Sequence, residues 1–345
     1  MKRVFAAALA ACSCLVLFWG CQNDISFPHS GPSLTVMTWN VQTLMDGSFT
    51  GTEFDEYRAD SWNDAAYRRR LDTTLTLLMS SALPRADILI LQEVENPGVV
   101  ADLLADGLAA HGGYLWYGAA GAAGGAVQTA VISRYQPQQI SVHGTDGIRP
   151  VIEAVFQTEG GRVVMWAVHA KSRREGASET EPQRISMSRI ISERARIWRD
   201  KDKNALLIVA GDLNEDCKAV LKDSGPSFQT ALVGSNAPLA GLWRSHGSLV
   251  LAGSREGLQD ETWYCPWLDE RLQPSRPGSY RYGGEWLAYD GILVRGLAAR
   301  GWRVGSFDCT APTWATTIEG APDRWDVRLK RGVSDHFPLW CTFEY

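Results

Sequence analysis

The sequence predicts a layered α/β domain, on three observations. Apolar strand-like runs recur from "LTVMTWNV" to the terminal "FPLWCTFEY", helix-like runs alternate with them, and no linker or repeat divides the chain after Leu34. Mixed elements of this kind bury their apolar faces by stacking helices on sheets. A composition of 45% hydrophobic and 21% charged residues over 345 positions suits one large globular domain. The formal net charge of -5 supplies no overall basic field. That argues against binding a polyanion by charge alone and leaves room for a local basic groove.

The N-terminus stands apart. Met1-Lys2-Arg3 precedes an apolar run from Val4 to Gly20, which gives residues 1–20 the layout of a secretory signal. The run is too short and too poorly flanked for a membrane span. Cys21 stands where a bacterial lipoprotein carries its lipidated first residue. The expectation is an exported protein, anchored to a membrane by that lipid in the periplasm or at the outer-membrane or cell surface. Leu9-Ala10-Ala11-Cys12 is an earlier alternative with a very short apolar core before it. Residues 21–33 read as a polar, proline-containing tether and residues 34–345 as the domain. Cys217, Cys265, Cys309 and Cys341 are too widely spaced for a zinc cluster. Export permits disulfides among them, and all three full pairings stay open.

The strand-like runs are "LTVMTWNV", "ADILILQEV", "TAVIS", "VIEAVF", "RVVMWAVHA", "ALLIVAGDLN", "YDGILV" and "FPLWCTFEY". Each is a short apolar run bounded by turn residues. Helix-like runs cover Tyr67 to Ser80, Gly98 to Ala110 and Pro182 to Arg199. In the last, Ile185, Ser188, Ile191 and Ala195 recur at helical spacing among arginines, so one face is buried. "GAAGAAGGA", Gly118 to Ala126, reads as a flexible loop.

Many strands end on polar residues. Asn40, Glu93 and His169 close three of them, Asp212 and Asn214 close a fourth, Asp290 opens "GILVR", and Asp335-His336 precede the last. Ligands gather at strand ends in layered α/β folds. Asp212 and Asn214 are two apart, so in extended chain both side chains leave on the same side. Any one of these residues alone reads as a cap or a turn. Together they supply carboxylates, amide oxygens and two imidazoles, the ligands and acid–base groups of hard-metal phosphoester chemistry.

Six motifs in order, "TWNVQTL", "LILQEVEN", "AVHAKSR", "VAGDLNED", "GSYRYGGEWLAYDGILV" and "SDHFPL", make the chain similar to the endonuclease/exonuclease/phosphatase (DNase I-like) superfamily. The wording of "QEVEN", "HAKSR" and "SYRYGGEW" resembles exported bacterial nuclease-like members. The resemblance implies a four-layer α/β sandwich, two packed β-sheets with outer helices, and an active site at one edge. It implies Glu93 as principal ligand of Mg²⁺ or Mn²⁺ with Asn40 beside it, and Asp335 supporting the metal or the histidines. Asp212 and Asn214 position or activate the attacking water, Asp290 orients His336, and His169 binds or protonates phosphate oxygens. Lys171 and Arg173 are candidate phosphate contacts. Trp263, Trp267, Trp286 and Trp340 are candidates for base stacking or for packing. Two departures concern substrate fit: Val168 precedes His169 where many relatives are polar, and Gly291 follows Asp290 where a bulkier residue is usual.

The function expected is a metal-dependent phosphodiesterase acting on DNA or RNA, working as a monomer without an obligate protein partner. A phosphatase or sphingomyelinase-like lipid phosphodiesterase is the alternative from the same superfamily, and a non-enzymatic surface lipoprotein on this scaffold the third. No acidic partner for His169 is legible.

Overall fold

The computed structural model describes residues 19–20, 33–58, 62–144, 148–221, 230–237, 240–255, 258, 261–297 and 301–345. Cys21, the start of the signal-like run and most of the tether lie outside the described residues. Two mixed β-sheets pack on each other with helices flanking them, the predicted four-layer sandwich. The first sheet runs, edge to edge, Trp19–Gly20, Trp116–Gly121, Gln128–Ser133, Ile88–Val94, Ser33–Leu44, Leu339–Glu344, Arg303–Cys309. The second runs Leu232–Gly234, Leu249–Ala252, Thr262–Tyr264, Asp290–Arg295, Leu206–Asp212, Gly161–His169, Val151–Thr158, Pro137–His143. One contiguous buried cluster, with Trp39, Leu91, Trp166 and Val209 fully enclosed, fills the space between them.

Two parallel pairs decide where the site forms. Ser33–Leu44 runs parallel to Ile88–Val94, and Gly161–His169 parallel to Leu206–Asp212. A parallel neighbour needs a crossover connection, commonly a helix. Helix α1 (Asp64–Leu78) lies in the first crossover and α3 (Ala177–Lys201) in the second. Asn63 caps α1 by accepting from Ala66 N at 3.1 Å. Asn96 of "QEVENPG" caps α2 (Pro97–Leu103), accepting from Gly98 N and Val99 N, with Pro97 already set for a first turn. Gly211 is required in its strand: a Cβ there would lie 1.9 Å from the Val168 carbonyl oxygen.

The departures from the sequence reading have local causes. Helix α3 begins at Ala177 rather than Pro182, so the proline sits in the second turn and forgoes one backbone bond. Its buried face includes Ser188, Ile191 and Ala195, while Ile185 is half-buried. Gly118–Gly121, read as loop, completes a strand paired with Gln128–Val131; small residues at this place still form a ladder. The Pro137–His143 strand carries no fully buried residue, so no apolar run announces it. Trp19–Gly20, inside the signal-like run, pairs antiparallel with Trp116–Tyr117.

Candidate active site

Strand register gathers the polar ends. In the second sheet His169 pairs with Asp212, and Asp212 with Asp290, so three acid–base residues stand in one row. Asn40 joins the sheets: its Nδ2 donates to Glu93 Oε1 at 3.2 Å and to Asp212 Oδ2 at 3.1 Å. His336 Nδ1 lies 2.7 Å from Asp290 Oδ2. His169 Nε2 is 3.8 Å from Glu93 Oε1 and 3.7 Å from Asp212 Oδ2, so its acidic neighbours are the site's own carboxylates.

Backbone strain collects here. Among the described residues five non-glycines have positive φ, and four of them, Gln42, Thr43, Glu93 and Asn214, surround the site. Such conformations cost about 1–3 kcal/mol each and persist only where the surroundings impose them. Thr43 N donates to Glu93 Oε2 at 2.9 Å, Gln42 N to Asn40 Oδ1 at 2.9 Å, and Asn214 N to Asp212 Oδ1 at 2.8 Å. The buried Arg70 guanidinium donates to the carbonyls of Val41 and Gln42 and lies over the Trp325 ring. Gln42 closes a two-way bond with the Trp325 backbone, at 3.1 and 2.9 Å. Ser334 Oγ donates to the Asn40 carbonyl at 2.7 Å and accepts from His336 N, and Ser279 Oγ accepts from Asp290 N.

The charges divide accordingly. Burial disfavours the charged His336 ring, yet the adjacent Asp290 carboxylate, with Asp212 and Asp335 nearby, raises it to about 10. Burial lifts Asp212 to about 7; the His336 cation opposes the rise and the Asp290 charge adds to it. His169 is pushed well below its ordinary value by burial, then by Arg149 and His336, so it stays neutral. One wall therefore carries a cationic imidazole, and the other a neutral one beside a carboxyl near its midpoint at neutral pH. Asp290 Oδ1 is buried without a partner.

The sequence-predicted residues fare unequally. Asn40, Glu93, His169, Asp212, Asp290 and His336 come together through these contacts. Asp335 is half-buried and acts on His336 and Arg70 through its charge. Asn214 lies past the strand end in left-handed backbone, so it does not run in extended register with Asp212; its amide donates to the Ala170 carbonyl at 3.1 Å. Lys171 pairs with Glu175 at 2.7 Å, and Arg173 interacts with the Tyr289 hydroxyl. Trp263 and Trp267 are core residues, and Trp286 packs on Phe337 at 6.1 Å. At the Gly291 departure, Leu213 fills the space: a Cβ would meet its Cδ1 at 2.5 Å. All four domain cysteines are buried free thiols. Sequence reasoning missed Arg149, which donates to Ala170 O at 2.8 Å, and Tyr280, whose ring lies 4.7 Å from the His336 ring. Neither follows a strand-end pattern.

Carboxylates and imidazoles gathered where two packed sheets meet are suited to phosphoester hydrolysis. The chain belongs to the Endonuclease/Exonuclease/phosphatase family, whose sequence profile matches residues 37–336. Membership places it among phosphoric-ester hydrolases. Solved structures agree in fold. Humanized Danio rerio TDP2 shares 15% identity at a TM-score of 0.53, covering 91% of this chain and 100% of that one. A family protein from Bacteroides thetaiotaomicron shares 14% at 0.52, covering 90% and 94%. D. rerio TDP2 in complex with a single-strand DNA product shares 15% at 0.50, covering 91% and 99%. No curated protein sequence matches the chain.

Proposed function

We propose that this chain is an exported, lipid-anchored, divalent-metal-dependent phosphodiesterase that hydrolyses nucleic-acid phosphodiester bonds by attack of water. The observation that carries the chemistry is the His336–Asp290 pair at 2.7 Å facing the Asp212–Asn40–Glu93 chain across one strand register. The single-strand DNA product held by D. rerio TDP2 supports a nucleic-acid substrate.

The donor set fits a hydrated hard cation. Glu93, its side chain 22% exposed, offers a carboxylate, while the Asn40 oxygen is turned to Gln42 N and its nitrogen holds Glu93 in place. Among the described residues no three or more His, Cys, Asp or Glu form a cage. Mg²⁺ typically keeps several waters and takes one or two carboxylates, and Mn²⁺ suits oxygen ligands too. Glu93 would hold the ion, with Asp335 nearby, and the bound ion would supply charge stabilisation at a phosphate oxygen. Protonated His336 donates toward the phosphate, fixed by Asp290. Asp212, near its midpoint at neutral pH, takes the proton of the attacking water, since a base near the operating pH is most effective. Neutral His169 stands beside Glu93 and Asp212.

Export and anchoring rest on the Met1–Gly20 run and Cys21; among the described residues no helix is long and apolar enough to cross a membrane. The test is incubation of the purified protein with Mg²⁺ and DNA, RNA, sphingomyelin or inositol phosphates, with and without EDTA. Cleavage of DNA or RNA, lost in EDTA and in Glu93→Gln, is expected. Full turnover in excess EDTA overturns the metal assignment, and exclusive cleavage of a lipid or inositol phosphate overturns the substrate. Loss of palmitate label and membrane association in Cys21→Ala checks the anchor.

A further inference from the structure

A cavity lies at the other end of the Asp290–Arg295 strand, away from the candidate active site. Its volume is about 680 Å³, and its walls are the C-terminal half of α3, the turn at Ser245–Ser248 and the ends of two strands. Arg295 stands in its wall, five residues along the strand from Asp290. At roughly 3.4 Å per strand residue, that puts the cavity about 17 Å from the candidate active site.

Its chemistry is cationic. Five arginines and Lys203 line it against three carboxylates, Glu193, Asp200 and Glu261. Two of those acids already have partners: Arg196 reaches Asp200 at 3.6 Å and Arg244 reaches Glu261 at 3.6 Å. The surplus of positive charge is held in place rather than strewn over a flexible surface. Arg189 spends its Nε on the His246 carbonyl at 2.7 Å, which leaves its two terminal nitrogens to other ligands. Ser192 Oγ donates to the Gly247 carbonyl at 3.2 Å, stitching the turn to the helix. Gly247, at φ +92, lets the Arg189 stem lie against the backbone, where a Cβ would come within 2.2 Å of Cγ. In the wall, Arg295 lies over the buried Trp263 ring at 5.3 Å.

We infer that this cavity is a binding site for a small phosphate-bearing anion, of pyrophosphate to nucleotide size, separate from the candidate active site. Guanidinium forks match phosphate oxygens in pairs, and arginine outnumbers lysine five to one here. A volume of several hundred cubic ångströms admits a ligand of that size but not a folded partner. Trp263 is packed against Trp166, so the recognition is of phosphate and not of a stacked base.

The test is calorimetric titration of the purified protein, in EDTA and low salt, with inorganic pyrophosphate and separately with ADP. Saturable binding that weakens about tenfold or more in Arg189→Glu/Lys203→Glu, a loss of about 1.4 kcal/mol, is expected. Both residues are exposed, so the fold should persist, and Arg196→Glu, also exposed, is the second variant if the first aggregates. Comparable binding of ADP and pyrophosphate is expected of a site that reads phosphate; ADP binding about tenfold or more tighter overturns recognition by phosphate alone. Unchanged affinity in the charge-reversed variants overturns the site. So does absence of saturable binding, or displacement of pyrophosphate by an oligonucleotide without terminal phosphates, which marks a nucleic-acid groove instead.

Discussion

Glu153 and Asp290 are both fully buried carboxylates in the second sheet, yet their surroundings differ. Glu153 accepts from Trp166 Nε1, Trp198 Nε1 and twice from Arg194, at 2.7 to 3.0 Å. Asp290 has His336 on one oxygen and nothing on the other. Asp290 Oδ1 is one of several buried side-chain atoms without a partner among the described residues, and its place beside His336 in the row of acid–base residues is what ties it to chemistry. The pKa shifts say the same. Glu153 is held far below the carboxylate range, its hydrogen bonds outweighing the burial that opposes them. At the other cluster, burial leaves Asp212 near neutrality. A saturated cluster holds sheet to helix; an unsaturated one keeps protons available.

The largest effect expected from breaking this contrast is at His336. His336→Ala and Asp290→Asn should each lower turnover by about 10²–10⁴-fold, the usual contribution of a general acid–base group. Thermal midpoints should fall at neutral pH, because each change leaves the other member of a buried pair without its counter-charge, so turnover is counted per folded molecule. If the two act as one unit, the double variant is little slower than the slower single. Single-turnover cleavage beside thermal melts decides it: normal turnover in folded His336→Ala removes the chemistry and leaves the fold.

Glu153→Gln should cost stability alone. Its loss leaves Arg194 and one indole short of an acceptor, at a cost of about 1–3 kcal/mol, with turnover per folded molecule unchanged. The pH dependence has a definite sign. A depressed folded pKa contributes stability above the ordinary Glu value, about 4.3, that is lost as pH falls through the folded value. The gap in midpoint between wild type and Glu153→Gln should therefore be widest at neutral pH and narrow below about pH 4. A gap that stayed constant to low pH would show that packing, not charge, is what Glu153 contributes.

The same contrast explains what was legible in the sequence. His169 and Asp212 end strands whose apolar runs are local patterns, and Glu93 stands one residue before the end of its own, so residue order predicts these strands and their polar ends. Asn40 instead lies at a register shift, and its strand runs on to Leu44. Gln42 sat unread inside "TWNVQTL" because its role depends on Trp325, 283 positions away. Arg70 looked like one more helix arginine, yet it is buried behind the strained turn, a fact only tertiary packing reveals. Arg149, Ser279 and Ser334 are likewise ordinary residues in ordinary loops until the sheets close. The cationic cavity was invisible for the same reason: its cations come from a helix, a turn and a strand end.

The smallest effect sharpens the comparison within a single stretch, "GDLNED". Asp212 and Asn214 face the site, whereas Glu215 turns back to Arg184, accepting from its Nε at 2.9 Å. Glu181 accepts from the same guanidinium at 2.8 Å. Two buried carboxylates beside one cation cannot both stay ionised. Burial and Glu181 push Glu215 well above its ordinary value, while Glu181, bonded to Thr230 and Arg184, is held low despite burial. A raised folded pKa contributes stability that is complete below the unfolded value of about 4.3 and is lost as pH rises toward the folded one. Gln mimics the protonated side chain toward Arg184 and Glu181 but gives up the acceptor that Glu215 Oε2 offers Leu232 N at 3.2 Å. Glu215→Gln should thus melt below wild type near pH 4, by the lost Leu232 N bond, and close on it as pH rises toward neutral. Glu181→Gln, which removes the charge Arg184 depends on, should melt lower at neutral pH. Equal losses in both variants at pH 7 would mean the two acids share the charge evenly, and the proton on Glu215 would have to be withdrawn.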